Sequence, residues 1–248
     1  IERYFGQDDS VEVRAAIAHA LLDKVILRLI PSGRKAEAMA VFGEIDQRFG
    51  GDDHMEVRAE VATALIYKGI TFLDTDEAII VYDEIDRRFG RDDDAEVQEQ
   101  VADALVYKGK ILHNLGKYEE AISVCDEVVR RFGKNDSDLM RLSVVNALVN
   151  KGKALEGQEK FSEAMLVYDE IHKHFGEDDR YMVRMSVADM LFNKGALLEK
   201  QGHIDEAILI YETIIERFRD NLGIHKKATA LKDNLRVKRV ELNHEDCH

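Results

Sequence analysis

The dipeptide Phe-Gly recurs through this chain at near-constant intervals. Phe5-Gly6, Phe49-Gly50, Phe89-Gly90, Phe132-Gly133 and Phe175-Gly176 are followed by Phe218 where a sixth is due, at spacings of 44, 40, 43, 43 and 43 residues. Self-similarity at such a period implies a stacked solenoid rather than a single closed core. It overrides the ordinary prior of one or two domains for 248 residues. A solenoid offers an extended surface, so binding becomes the leading functional expectation.

Composition narrows the element type. Pro31 is the only proline, which argues for helix nearly everywhere. The 34% charged content suits long, surface-rich helices, and the 45% hydrophobic content suffices for a folded protein. No apolar run approaches the ~20 residues that a membrane helix needs, and no signal-peptide pattern is present. Cys125 and Cys247 make neither a disulfide framework nor a CxxC metal pair. A reducing, cytoplasmic setting is therefore expected. The net charge of −14 argues against nucleic acid as a partner. Residues 222–240 depart from it, with Lys226, Lys227, Lys232, Arg236, Lys238 and Arg239 against Asp233.

Residues 91–133 serve as a model unit. Val97, Val101, Ala104, Leu105, Ile111, Leu112 and Leu115 recur at helical spacing, predicting a helix A over about 94–114. Ala121, Ile122, Val128 and Val129 predict a helix B over about 118–132. Asp9 with Glu12, Asp53 with Glu56 and Asp93 with Glu96 read as capping boxes. Gly116 and Gly202 end helix A at a tight turn, and Gly50, Gly90, Gly133 and Gly176 sit where a left-handed helix C-cap is expected. Gly69, Gly109, Gly152 and Gly195 fall inside helix A, each at a cost of about 1 kcal/mol relative to alanine. Four such glycines at one position predict close helix–helix approach, with Ala78, Ala121, Ala164 and Ala207 of helix B as the facing small residues.

This arrangement resembles the tetratricopeptide repeat. Leu105, Lys108-Gly109, Leu112, Gly116, Tyr118, Ala121 and Cys125 take the places of that family's motif in repeat three. Leu191, Lys194-Gly195, Leu198, Gly202, Ile204, Ala207 and Tyr211 take them in repeat five. The resemblance implies an all-α, right-handed superhelical solenoid of antiparallel helix pairs, closed here by a C-terminal capping helix. The units exceed the usual length by about nine residues, and Phe-Gly with an acidic loop replaces the usual proline after helix B. Repeat one has Val25 for the glycine and Pro31 in its turn, repeat two lacks three turn residues around Leu73-Asp74-Thr75, and repeat four has Glu159 for the turn glycine. The expected organisation is a preceding helix end at 1–6, repeats at 7–50, 51–90, 91–133, 134–176 and 177–219, and a capping helix with tail at 220–248. Residues 1–6 match the end of a helix B, so the chain reads as the C-terminal part of a longer protein.

In the family, helix A lines a concave groove, and the position two before its glycine is often asparagine. By resemblance Asn150 and Asn193 hold that place, with Tyr67 and Tyr107 there in repeats two and three and Asp23 in repeat one. Lys110 and Lys153 follow the glycines, and Asp103, Asn146 and Asp189 lie about a turn earlier. An asparagine amide donates and accepts at once, so it suits a peptide backbone, and a nearby lysine adds charge for a carboxylate. The full two-carboxylate clamp known in the family is not evident. The expected partner is a protein or peptide, with no nucleic acid, membrane or cofactor. The alternatives are a self-associating structural array, hence a homo-oligomer, and the regulatory region of an enzyme whose catalytic domain lies upstream.

Other chemistry finds no support in the spacing. The acidic loops Asp52-Asp53, Asp92-Asp93-Asp94 and Glu177-Asp178-Asp179 lack the D-x-D-x-D-G order of a calcium loop and suit helix capping. His172 and His174, two apart on a helix, do not share a face. Cys125 replaces an aromatic seen at Phe42, Tyr82, Tyr168 and Tyr211 and reads as a small core residue. No P-loop, Rossmann glycine motif or nucleophile elbow is present, so no catalytic residue is expected.

Overall fold

The computed structural model describes residues 10–72 and 75–245. Phe5-Gly6, Asp8-Asp9, Leu73-Asp74 and Cys247 therefore lie outside the described residues. Those residues contain helices and turns and no strand. In chain order the helices are α1 (Val11–Lys24), prolonged by a π-helical turn Val25–Leu29, then α2 (Lys35–Phe49), α3 (Met55–Thr71), α4 (Asp76–Phe89), α5 (Ala95–Asn114) and α6 (Tyr118–Phe132). They continue with α7 (Asp138–Gly157), α8 (Phe161–Phe175), α9 (Tyr181–Lys200), α10 (Ile204–Arg217) and α11 (Leu222–Glu245). The chain divides into two compact units, Ile1–Val124 and Cys125–His248.

In the first unit α3 packs against α1, α2, α4 and α5. In the second, α7 packs on α8 and α9, α9 on α8 and α10, and α10 on α11. Three-residue turns join α7 to α8 and α9 to α10, so the paired helices run antiparallel. The predicted inward residues of α5 are buried except Leu115, which is exposed. Gly116 and Gly202 take left-handed backbone, as a tight turn requires, and Glu159 adopts φ 60° where repeat four lacks that glycine.

The glycines after the phenylalanines correct a sequence expectation. Gly50, Gly90 and Gly176 have φ of −60°, −61° and −52°, which is right-handed. Their need for glycine is steric, because a Cβ would stand 2.1–2.3 Å from the carbonyl oxygen four residues back. The capping boxes also shift. Asp94, not Asp93, caps α5 by accepting from Val97 N, Ser137 caps α7, and His54 at the start of α3 makes no side-chain cap bond.

The acidic loops have a second task. His54 N donates to Asp52 at 3.0 Å, Asp94 N to Asp92 at 3.0 Å, and Arg180 N to Asp178 at 3.1 Å, closing the same small turn each time. The same carboxylates accept from an arginine of the preceding helix A: Arg14 to Asp52 at 2.6 Å, Arg58 to Asp92 at 3.1 Å and Arg141 to Asp178 at 2.8 Å. Arg184 pairs instead with Asp220 at 2.6 Å, one residue earlier in its loop, because Asn221 holds the aspartate position there. Arg141 and Arg184 also lie over the rings of Phe175 and Phe218, at 4.9 and 5.2 Å from the centroids. The recurring phenylalanine and the acidic loop are thus two halves of one inter-repeat clamp. The arginine position reads Arg14, Arg58, Gln98, Arg141, Arg184, so repeat three alone is uncharged there, and the following loop has Asn135 at the aspartate position.

A second row of ion pairs joins helices within each unit. Lys108 pairs with Asp83, Lys151 with Asp126 at 2.6 Å and Lys194 with Asp169 at 2.5 Å. In α11, Arg236 meets Glu212 at 2.7 Å and so continues the row. This helix takes the place of a further helix A. It buries Ala228 and Leu235, half-buries Leu231, and leaves Leu222 and Val240 exposed. Its basic residues are not simply wet. Arg239 pairs with Asp205 at 2.6 Å, Lys238 with Glu199 at 3.4 Å, and the Lys227 ammonium lies 4.1 Å from the Phe192 ring centroid.

The clamp makes a pH prediction. Burial acts to raise the Asp52 carboxyl, but hydrogen bonds from Arg14 and from the His54 backbone and ring outweigh it and hold the group below its ordinary value of 3.8. A carboxyl lowered by folding contributes stability above its unfolded value, and that contribution disappears as pH falls through the folded value. An Asp52→Asn variant is therefore expected to be less stable than the parent by about 1 kcal/mol at pH 7. Denaturant melts between pH 7 and 2 should show the two curves converging below pH about 4. A constant gap down to pH 2 would assign the loss to something other than this charge.

Candidate partner-binding face

The glycines inside helix A act on the neighbouring tyrosine, not on the facing alanine. A Cβ on Gly69 would lie 2.6 Å from the Tyr82 ring, one on Gly152 2.3 Å from Tyr168, and one on Gly195 2.8 Å from Tyr211. Each glycine thus admits a ring from helix B between helices. Ala78, Ala164 and Ala207 are fully buried four residues before those tyrosines. In repeat one, Val25 opposes this contact, and the backbone there widens to the π-helical turn.

The helix faces that carry the predicted residues differ between units. In the first, Asp103, Tyr107 and Lys110 recur at i, i+4 and i+7 on α5 and so share a stripe. Tyr67 on α3 and Asp103 are half-buried, while Tyr107 and Lys110 are exposed. Tyr107 stacks on Tyr82, with centroids 6.0 Å apart and planes 13° from parallel. Burial raises the Tyr107 phenol, and the nearby Asp103 and Tyr67 add to it. On the neighbouring helices His19 lies 3.6 Å from Asp23 and 2.9 Å from Glu60.

In the second unit Asn146, Asn150 and Lys153 line one stripe of α7, and Asp189 and Asn193 one stripe of α9. Asp189 is exposed and the other four are half-buried. Asn146 is partly committed, because its side-chain oxygen accepts from Ser186 at 2.6 Å. The Asn193 amide nitrogen is buried with no hydrogen-bond partner among the described residues. Of the apolar residues on these stretches, Ile66, Val149 and Phe192 are buried and serve packing, while Ile70 and Val106 are half-buried.

Two tyrosines gained roles that their spacing alone did not disclose. Tyr168 donates to Glu156, whose carboxyl burial raises while Tyr168, Lys200 and Lys153 pull it back. The Tyr82 hydroxyl, in contrast, is buried without a partner among the described residues. Cys125 stands in the tyrosine position of repeat three, is buried, and has its thiol pushed up to about 12, chiefly by burial. Asp52, Asp53 and His54 bring potential ligand atoms within 4.8 Å of one another, but Asp52 already accepts from Arg14 and His54. A cavity of about 340 Å³ lies between the repeat-one turn and the end of α3, lined by Ile30, Gly33, Lys35, Ile70 and Thr71.

Models of the tetratricopeptide repeat match residues 75–136 and 188–221. These two stretches are similar to tetratricopeptide repeats. No curated protein and no solved structure matches it. Tetratricopeptide repeats are generally non-catalytic interaction modules, and they support a protein–protein interaction or scaffolding role here. Gly195 and the Tyr211 ring that fits against it both fall within the second of these matches. Among the described residues no helix is long and apolar enough to cross a membrane.

Proposed function

We propose that the helix-A stripes of α7 and α9 in the second unit form a surface that holds an extended segment of a protein partner, and that those of α3 and α5 form such a surface in the first unit. The observation that carries this reading is the buried, unpaired amide nitrogen of Asn193. A buried amide is normally paired, since leaving it unmade costs about 1–3 kcal/mol. A peptide carbonyl supplies the missing acceptor. Asn150 holds the equivalent place on α7, with Lys153 three residues on, so two amides and a cation are spaced for backbone and carboxylate groups. Asn146 and Asp189 flank them one turn earlier. In the first unit Tyr67, Asp103, Tyr107 and Lys110 are the stripe residues of α3 and α5.

The test is an Asn150→Ala, Asn193→Ala double variant measured against a partner captured by the intact chain. Two lost hydrogen bonds of about 0.5–1.5 kcal/mol each weaken binding roughly tenfold or more. The helical signal and melting temperature should stay nearly unchanged. Unchanged affinity would move the partner to another face. The regularly placed and exposed Ile80, Leu166 and Leu209 of the B helices give self-association its specific support as a second reading. Light scattering across a concentration series separates the two, because only the second requires a dimer or larger species without a partner.

A further inference from the structure

The two repeats of irregular length adjoin within the first unit. Repeat one carries Pro31 in its turn, and repeat two lacks three turn residues. Between the repeat-one turn and the end of α3 lies the cavity of about 340 Å³, lined by Ile30, Gly33, Lys35, Ile70 and Thr71. Ile30, Ile70 and Thr71 are half-buried, and a Cβ added to Gly33 would meet no atom within 4 Å. The hydrogen-bonding groups of the wall are mostly committed. The Thr71 hydroxyl donates to the Tyr67 carbonyl at 2.7 Å. Gly33 N donates to the Ile30 carbonyl at 3.0 Å, and Lys35 N to the Gly33 carbonyl at 2.9 Å. The Lys35 ammonium is the exception. It lies 5.2 Å from the ring centroid of Phe72, the residue after Thr71, and makes no ion pair among the described residues.

We propose that this cavity binds a small monocarboxylate whose apolar body is about the size of a two-ring aromatic. The proposal does not rest on the partner-binding stripes. An apolar cavity of ~150 Å³ stays dry and takes benzene, so about twice that space admits a second fused ring. Apolar contact supplies the affinity, and Lys35 sets the sign of the charge. The last turn of α3 ends at Thr71 and disfavours an anion, while the first turn of α2 begins at Lys35 and favours one. These two partial charges oppose each other, so the full charge of the ammonium decides. Lys35 is exposed. The carboxylate would therefore stay at the mouth, in touch with water, while the rings enter between Ile30 and Ile70. No single amino-acid side chain joins an apolar body of this size to a carboxylate, which favours a free molecule over an internal segment of a protein. Such a ligand would tie the repeat-one turn to α3 and give the array a small-molecule input.

The experiment is equilibrium dialysis of the full chain against 2-naphthylacetate, read by naphthyl fluorescence. 2-Naphthylacetamide keeps the shape and removes the charge. Saturable binding with a Kd below about 1 mM is expected for the carboxylate, about three- to thirtyfold tighter than for the amide. Lys35→Gln should abolish that preference. Lys134→Gln, an equal charge change on an exposed loop of the second unit, should alter it less than about twofold. Ile70→Trp fills the space and should weaken both probes about tenfold or more. If Ile70→Trp fails to fold, amide shifts of the labelled parent chain take its place, and they should be largest at Ile30, Gly33, Ile70 and Thr71. No saturable binding by about 1 mM, an unchanged preference in Lys35→Gln, or shifts centred elsewhere would each overturn the proposal. Equal affinity for the two probes would also overturn it, and would leave the cavity to an apolar side chain of a partner.

Discussion

A Gly152→Leu substitution is expected to destabilise the second unit by about 3 kcal/mol or more. Leucine begins with a Cβ that would stand 2.3 Å from the Tyr168 ring, and Tyr168 cannot retreat without giving up Glu156 and its fully buried site. Gly152→Ala is the sharper comparison. Helix propensity alone favours alanine by about 1 kcal/mol, whereas the contact with Tyr168 opposes it. A net loss on urea melting would show that packing decides the sign, and a net gain would refute the close contact. Adding Tyr168→Leu should recover part of the Gly152→Ala loss, because the two residues meet at one point.

Removal of α11 from Leu222 onward should have a comparable effect, distributed differently. The helix covers the end of the second unit with Ala228 and Leu235 and ties it through Arg236, Lys238 and Arg239 to Glu212, Glu199 and Asp205. These three pairs are about half exposed and contribute little individually. The apolar cover carries more, on the order of 3–5 kcal/mol once newly exposed neighbours are included. In a repeat array such a loss starts at the uncovered end. Amide exchange should therefore accelerate in α10 and α9 before α7, and the melting temperature should fall by roughly 6–20 °C. Charge reversal at Lys238 and Arg239 should shift melting by only a few degrees. A truncated chain with unchanged exchange in α10 would make α11 a dispensable appendage.

Much of the fold was legible because the repeat averages out local ambiguity. Helix B of repeat three falls at Tyr118–Phe132, the expected bounds, and helix A at Ala95–Asn114. The helix-A glycines announced a close approach, yet the intruding residue was the tyrosine four places after the alanine. Spacing identifies a small residue but not which neighbour fills the space it leaves. The acidic loops were read as caps because capping is local, while their arginine partners stand 34 to 38 residues away. Such pairs become visible only when repeats are stacked. The pairs made by the basic residues of α11 are hidden for the same reason, their carboxylates being 24 to 39 residues distant. The predicted stripe residues depend on the family resemblance. Nothing in the spacing distinguished Asn146, which Ser186 engages, from Asn193, whose amide nitrogen stays unpaired.

The π-helical turn at Val25–Leu29 shows where this chain can store a change in length. Val25 to Ala38 takes thirteen steps where Gly109 to Ala121, Gly152 to Ala164 and Gly195 to Ala207 each take twelve. The surplus residue sits inside the helix, where Ile30 N reaches back five residues to the Val25 carbonyl at 3.0 Å. Repeat two differs in the opposite sense, being three short between Gly69 and Ala78. The length differences between repeats are thus not confined to the connecting loops. Grafting or shuffling of its units should begin from helix-internal register, not from loop length.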